Sequence, residues 1–259
     1  MSETAIGTIG VIALFVLLAL RMPVAMTMLI VGFFGTIAIN GLNAALSTLG
    51  GEAFEIASTS MLIVVPLFVL MGNLAGVSGM SRDLYDAAYA WVGHHRGGLA
   101  SATIGGCAGF AALSGSSIAS AVTMGRVALP QMKRFKYDDS LATGAVAAGG
   151  TLGILIPPSS GMIIYAILTE QSIGRLFMAG VFPGLLLTGL FLVAIYIVTR
   201  IRPEAGPPGP KANMRERFAA ARRSLAIVGI VLATIGGIYL GVFTPVEAAG
   251  VGAFLTFVM

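Results

Sequence analysis

Ser114-Gly115-Ser116-Ser117 lies at the centre of Gly97–Gly125, a run of 29 residues without a charge. A second charge-free run of 30 residues, Ser140–Thr169, carries Gly149-Gly150-Thr151-Leu152-Gly153 and then Pro157-Pro158-Ser159-Ser160. Serine and threonine hydroxyls, together with freed backbone carbonyls, are neutral hard oxygen ligands of the kind that suits Na⁺. Helix N-termini exposed by a break suit carboxylates, and the carbonyl-bearing ends suit cations. The same serines also invite a nucleophilic reading. That reading needs a base within about 2.6–3.2 Å, and no His or Lys falls in any apolar run.

Other reactive residue types are placed less suggestively. His94 and His95 are adjacent to Arg96 with no carboxylate and third ligand nearby, which predicts a solvated loop. The single cysteine, Cys107, excludes an internal disulfide and a Cys-rich metal site, and predicts a small apolar residue in a helix. Tyr85, Tyr89 and Trp91 predict an aromatic belt at a membrane interface. Glu52 and Glu55 predict surface exposure. No ionisable residue sits deep in an apolar run, so a carboxylate proton relay is not visible, and no G-x-x-x-x-G-K-[ST] phosphate loop is present.

The elements that must position these residues are membrane helices. Charged residues make up 10% of the 259 residues and hydrophobic ones 57%, with a mean hydropathy of +0.94, against a charged quarter in soluble domains. Spans are predicted at 6–20, 22–39, 58–77, 176–199 and 224–243, with a partial segment from 246. A bilayer crossing takes roughly 20 helical residues, so Gly97–Gly125 is too long for one span and too short for two. It predicts a re-entrant hairpin at 97–125 whose tip is the serine cluster, buried in protein or facing a water-filled cavity. Pro157-Pro158 predicts a helix at 140–169 that unwinds near its middle, across both the glycine cluster and the prolines.

Charge supports the same arrangement. With the N-terminus outside, 14 of the 15 Lys and Arg residues fall on the cytoplasmic side and only Arg175 outside, as the positive-inside rule expects. The count holds only if 97–125 enters and leaves on one face. The basic balance, +4 overall, therefore reflects topology and not nucleic acid. Residues 200–223 predict a cytoplasmic linker, non-helical across its four prolines and a short cationic surface helix from Met214 to Arg223. Leu20-Arg21-Met22-Pro23-Val24 is echoed 222 residues later by Val242-Phe243-Thr244-Pro245-Val246. The first copy starts outside and the second inside, which predicts inverted repeats: a first repeat at 1–199 and the start of a second at 224–259. On this reading the chain is a C-terminally truncated piece.

The segments GCAGFAALSGSSIASAVTMGRVALPQM and AAGGTLGILIPPSSGMIIYAILTEQSIGRLFMAGVFPGLLL resemble the large membrane subunit of TRAP (tripartite ATP-independent periplasmic) transporters, the DctM-like permease, and the similarity runs from Gly7 to Met259. The resemblance implies an all-α polytopic protein of the bacterial inner membrane, an inverted-repeat elevator-type transporter with a re-entrant hairpin and an unwound transmembrane helix. It implies Na⁺-coupled import of a small organic anion, such as a C4-dicarboxylate, another carboxylate or an acidic sugar. The implied partners are a small membrane subunit and a periplasmic solute-binding protein, with the N-terminus periplasmic. Carried onto this chain, it implies that Ser114, Gly115 and Ser116 of the tip hold Na⁺ with Gly149 and Thr151, and that Ser117, Pro158 and Ser159 face the substrate. The other readings are a different Na⁺-coupled carrier of the ion-transporter superfamily and an intramembrane serine hydrolase.

Overall fold

A computed structural model describes residues 2–259, which are all-helical with no strand among them. They form two compact units, 1–60 and 61–259. The first unit contains α1 (Glu3–Ala19), α2 (Val24–Asn40) and α3 (Leu42–Ser58). Ser2 caps α1 by accepting from the Ala5 N–H, Pro23 is the cap residue of α2, and Gly41 ends α2 at φ +85°. α1 buries none of its residues, and large apolar side chains such as Phe15 and Phe34 are exposed. Such helices suit lipid rather than water. Glu52 and Glu55 are exposed on α3.

The second unit runs α4 (Val64–Val77), α5 (Met80–Val92), α6 (Gly98–Ser114), α7 (Ser117–Arg134), α8 (Asp139–Leu155), α9 (Ser160–Leu168) and α10 (Ile173–Ile201). It continues with α11 (Met214–Val231), a π-helical turn (Leu232–Gly236), α12 (Gly237–Tyr239) and α13 (Pro245–Val258). Three helical stretches among the described residues are long and apolar enough to cross a membrane: Asp139–Leu168, Ile173–Ile201 and Met214–Tyr239. α4 and α5 qualify as a pair bent by 65°. α6 is the centre of this unit. It packs against α4, α5, α7, α8 and α10, and Leu99, Ile104, Cys107 and Leu113 are wholly buried.

Several boundaries differ from those the sequence predicts. The second arm of the hairpin does not stop at Gly125, since α7 continues through Arg126 and Pro130 to Arg134. Charge marks where a helix leaves an apolar environment, whereas nothing between 126 and 134 ends the helix itself. The cationic segment from Met214 is likewise not a separate surface helix. Asn213 and Glu216 form a capping box at its start, and no breaker follows Arg223, so the helix runs on to Val231. Tyr85 is not part of an interfacial belt. It lies in the core, 2% exposed, with its ring stacked on Tyr89 at 6.3 Å, because α6 and α11 both pack against α5. Trp91 stays exposed, with the Arg217 guanidinium 5.6 Å from its ring. His95 is exposed and His94 is half-buried.

The polar segment after α10 is more than a spacer. Ala205 C=O accepts from the Asp138 N–H at 3.0 Å, Gly206 C=O from the Gly97 N–H at 2.9 Å, and Gly93 C=O from the Gly209 N–H at 2.9 Å. These bonds strap residues 205–209 across the foot of the hairpin. The Leu99 N–H, an orphan donor in the first turn of α6, is buried and donates to Tyr137 Oη at 3.1 Å. Tyr137→Phe leaves that donor without a partner, which costs about 1–3 kcal/mol. We expect the purified protein to melt several degrees lower, and an unchanged melting temperature would show that the bond adds nothing.

Candidate functional site

The tip of the hairpin is a two-residue turn. Gly115 is left-handed at φ +58° and Ser116 is extended at φ −134°. The Gly115 N–H closes α6 on the Ala111 carbonyl at 3.1 Å, and Ser116 caps α7, its Oγ accepting from the Ala119 N–H at 3.4 Å. α8 and α9 are interrupted over residues 156–159. Pro157, Pro158 and Ser159 are buried there, and Ser159 Oγ accepts from the Met162 N–H at 3.4 Å.

The tip docks on this interruption. Gly115 C=O accepts from the Ser160 N–H at 3.1 Å, and a Cβ placed on Gly115 would lie 2.6 Å from the Pro158 carbonyl oxygen. Two glycines let neighbouring helices close on it. A Cβ on Gly153 of α8 would lie 2.7 Å from the Ser116 carbonyl group, and one on Gly72 of α4 would lie 2.6 Å from Ser114 Cα. Ser114 Oγ is hydrogen-bonded to Ser120 Oγ at 2.9 Å, whereas Ser117 Oγ is buried with no partner among the described residues. The N-termini of α7 and α9 and the C-termini of α6 and α8 thus end in one small volume.

No Asp, Glu, Lys, Arg or His occurs in residues 97–125 or 140–169, so the partial charges at the helix ends dominate the field at the tip. Amide N–H groups at two N-termini favour an anion, and unpaired carbonyls at two C-termini favour a cation. The serines have other serines and backbone groups as neighbours and no base, so nothing here activates a nucleophile.

Two residues predicted for the site are placed differently. Gly149 and Thr151 belong to intact α8, because unwinding is confined to 156–159. A Cβ on Gly149 would lie 2.7 Å from Cys107 Sγ, more than a turn below the tip, so this glycine serves close packing. Thr151 is exposed and donates its hydroxyl to the Ala148 carbonyl at 2.6 Å. Gly150 and Gly153 reach the tip instead, Gly150 against Ala121 and the Ser117 carbonyl. Sequence reasoning also missed Gly72, Ser120 and Asn73. Asn73 was visible as the single amide in the apolar stretch of α4.

An all-helical protein with membrane-length helices and a hairpin tip docked on an interrupted helix is a polytopic membrane protein. The comparisons place it more narrowly. Residues 11–259 match the family model "Tripartite ATP-independent periplasmic transporter, DctM component", so the chain belongs to the DctM family of TRAP large permeases. It is 46% identical over 202 residues to the C4-dicarboxylate TRAP transporter large permease DctM of Pseudomonas aeruginosa, covering 78% of this chain and 47% of that protein. It is 36% identical over 242 residues to the ectoine permease TeaC of Halomonas elongata, covering 93% and 56%. It is 35% identical over 240 residues to the sialic acid permease SiaM of Vibrio cholerae, covering 92% and 55%. The chain spans about half the length of these curated relatives.

Proposed function

We propose that this chain forms one half of the translocation site of a TRAP permease that imports a small organic anion together with Na⁺. The observation carrying this reading is the docking of the Ser114–Ser117 tip on the 156–159 interruption, which gathers two helix N-termini, two C-termini and the orphaned Ser117 hydroxyl. Na⁺ is held by tip oxygens, chiefly the Ser116 hydroxyl and the carbonyls of Ser114 and Gly115. The substrate's acid group meets Ser117 and the Pro158–Ser159 turn, where the N-termini of α7 and α9 favour negative charge. Among the relatives the names specify a C4-dicarboxylate, ectoine and sialic acid. The greater identity to the first favours a C4-dicarboxylate here. The partners are a small membrane subunit and a periplasmic solute-binding protein. The hairpin with α8 and α9 is the body that moves in elevator fashion, the protein sits in the inner membrane, and its N-terminus is periplasmic.

The test is uptake by proteoliposomes holding the full-length permease, its small subunit and its binding protein. Accumulation of a C4-dicarboxylate is expected with Na⁺ outside and not with K⁺, and only when the binding protein is present. Equal uptake in K⁺ would overturn Na⁺ coupling. Uptake without the binding protein would favour an ordinary Na⁺-coupled carrier.

A further inference from the structure

Beside the hairpin tip, between α4 and α7, lies a cavity of about 440 Å³ whose lining has no acidic residue. Two guanidinium side chains line it, Arg82 and Arg126, together with Asn73, Ser81 and Thr123. Gly72 and Ala119 also belong to the lining, and both touch the tip. Gly72 abuts Ser114, and Ala119 donates its N–H to Ser116 Oγ. From Ser117 to Arg126 is nine residues of helix, roughly 13 Å at about 1.5 Å each. The cavity therefore runs from the tip to Arg126, midway along α7.

Among the described residues, the side chains of Asn73, Ser81 and Thr123 make no hydrogen bond. Thr103, Thr188 and Thr234 return their hydroxyls to carbonyls of their own helices, but Thr123 makes no such bond among the described residues. An exposed Asn73 in an otherwise apolar helix is costly against lipid and tolerable against water or a polar ligand. Two cations with amide and hydroxyl groups, and no competing carboxylate in the lining, are a recognition set for a small carboxylated anion.

We infer that this cavity is a second anion-binding station, on the cytoplasmic side of the tip, which receives the organic anion as it leaves the translocation site. The inference rests on the transport reading above. Arg126 and Arg82 draw the anion off the tip, and Asn73 and Thr123 replace water around its oxygens. Asp86 is near enough to Arg82 to feel its charge, so Arg126 carries the larger share.

The experiment uses full-length permease whose other cysteines are replaced by serine and which carries Val127→Cys in the cavity lining. Membrane vesicles of both orientations are treated with a membrane-impermeant maleimide, with succinate or with chloride at equal ionic strength. Labelling from the cytoplasmic face, slowed by succinate and not by chloride, is expected. Arg126→Gln should raise the half-protecting succinate concentration roughly tenfold, Arg82→Gln should raise it less, and Lys133→Gln, on the same helix outside the cavity, should leave it unchanged. Labelling only from the periplasmic face, no protection, or protection indifferent to Arg126→Gln would overturn the station. Na⁺-driven uptake by the parent permease is measured alongside. If uptake persists while protection fails, only the station falls; if the assembled complex transports nothing, the transport reading falls and the station with it.

Discussion

Gly115→Val is expected to reduce uptake to as little as about one hundredth of that of the parent protein. A non-glycine residue at φ +58° costs about 1–2 kcal/mol, and a β-branched one is a genuine outlier there. Its Cβ would lie 2.6 Å from the Pro158 carbonyl oxygen, so either the turn or the interruption must shift. Shifting either one breaks the Ser160 to Gly115 hydrogen bond, worth about 1 kcal/mol net. The sum is about 2–3 kcal/mol against the docked tip, or up to two decades in its population at about 1.4 kcal/mol per decade. The arms themselves keep their apolar surface, so insertion into the membrane should be near normal. Gly115→Ala should fall between the two. Near-parental uptake by Gly115→Val at equal abundance would show that docking of the tip is not needed for transport.

Ser116→Ala is expected to raise the Na⁺ concentration for half-maximal uptake about tenfold, equivalent to about 1.4 kcal/mol, with little change in abundance. Among the described residues the hydroxyl's one bond is long, 3.4 Å from the Ala119 N–H. Losing that cap costs about 0.5–1 kcal/mol of helix stability, which a polytopic protein tolerates. Ser116→Thr keeps the oxygen and should restore the Na⁺ response. Ser114→Ala is a useful contrast because its hydroxyl is already paired with Ser120. It should lower the melting temperature more than it alters Na⁺ dependence. An unchanged Na⁺ response in Ser116→Ala would remove this side chain from the ion site.

The parts of the site that could be read directly from the sequence are those where local chemistry contradicts its surroundings. Ser-Gly-Ser-Ser in a charge-free run has no packing reason to interrupt a helix, and Pro157-Pro158 cannot be threaded by one. Both mark breaks: at the first the chain folds back into a hairpin, and at the second a single span is interrupted without turning back. Glycine is ambiguous, because it serves both breaking and close approach. Gly149, Gly150 and Gly153 are spaced i, i+1 and i+4, so they share one face of an unbroken helix, and that face lies on the hairpin. Their number suggested unwinding, and their spacing indicated packing. The approach of Gly72 to Ser114 joins residues 42 positions apart, and no local pattern records it. Charge was a poor guide to helix ends, as the continuation of α7 and α11 shows.

The strap across the foot of the hairpin alters how residues 200–213 should be regarded. Four prolines and an open composition suggest a tether of arbitrary length, the sort of segment that accepts insertions freely. Yet three backbone bonds tie Ala205, Gly206 and Gly209 to Asp138, Gly97 and Gly93, and a Cβ on Gly206 would come within 3.0 Å of Gly97 Cα. The spacing between those three attachment points is therefore under a length constraint, and its glycines under a size constraint. Slack in the connection between α10 and α11 is left, among the described residues, to the few between Gly209 and the cap at Asn213.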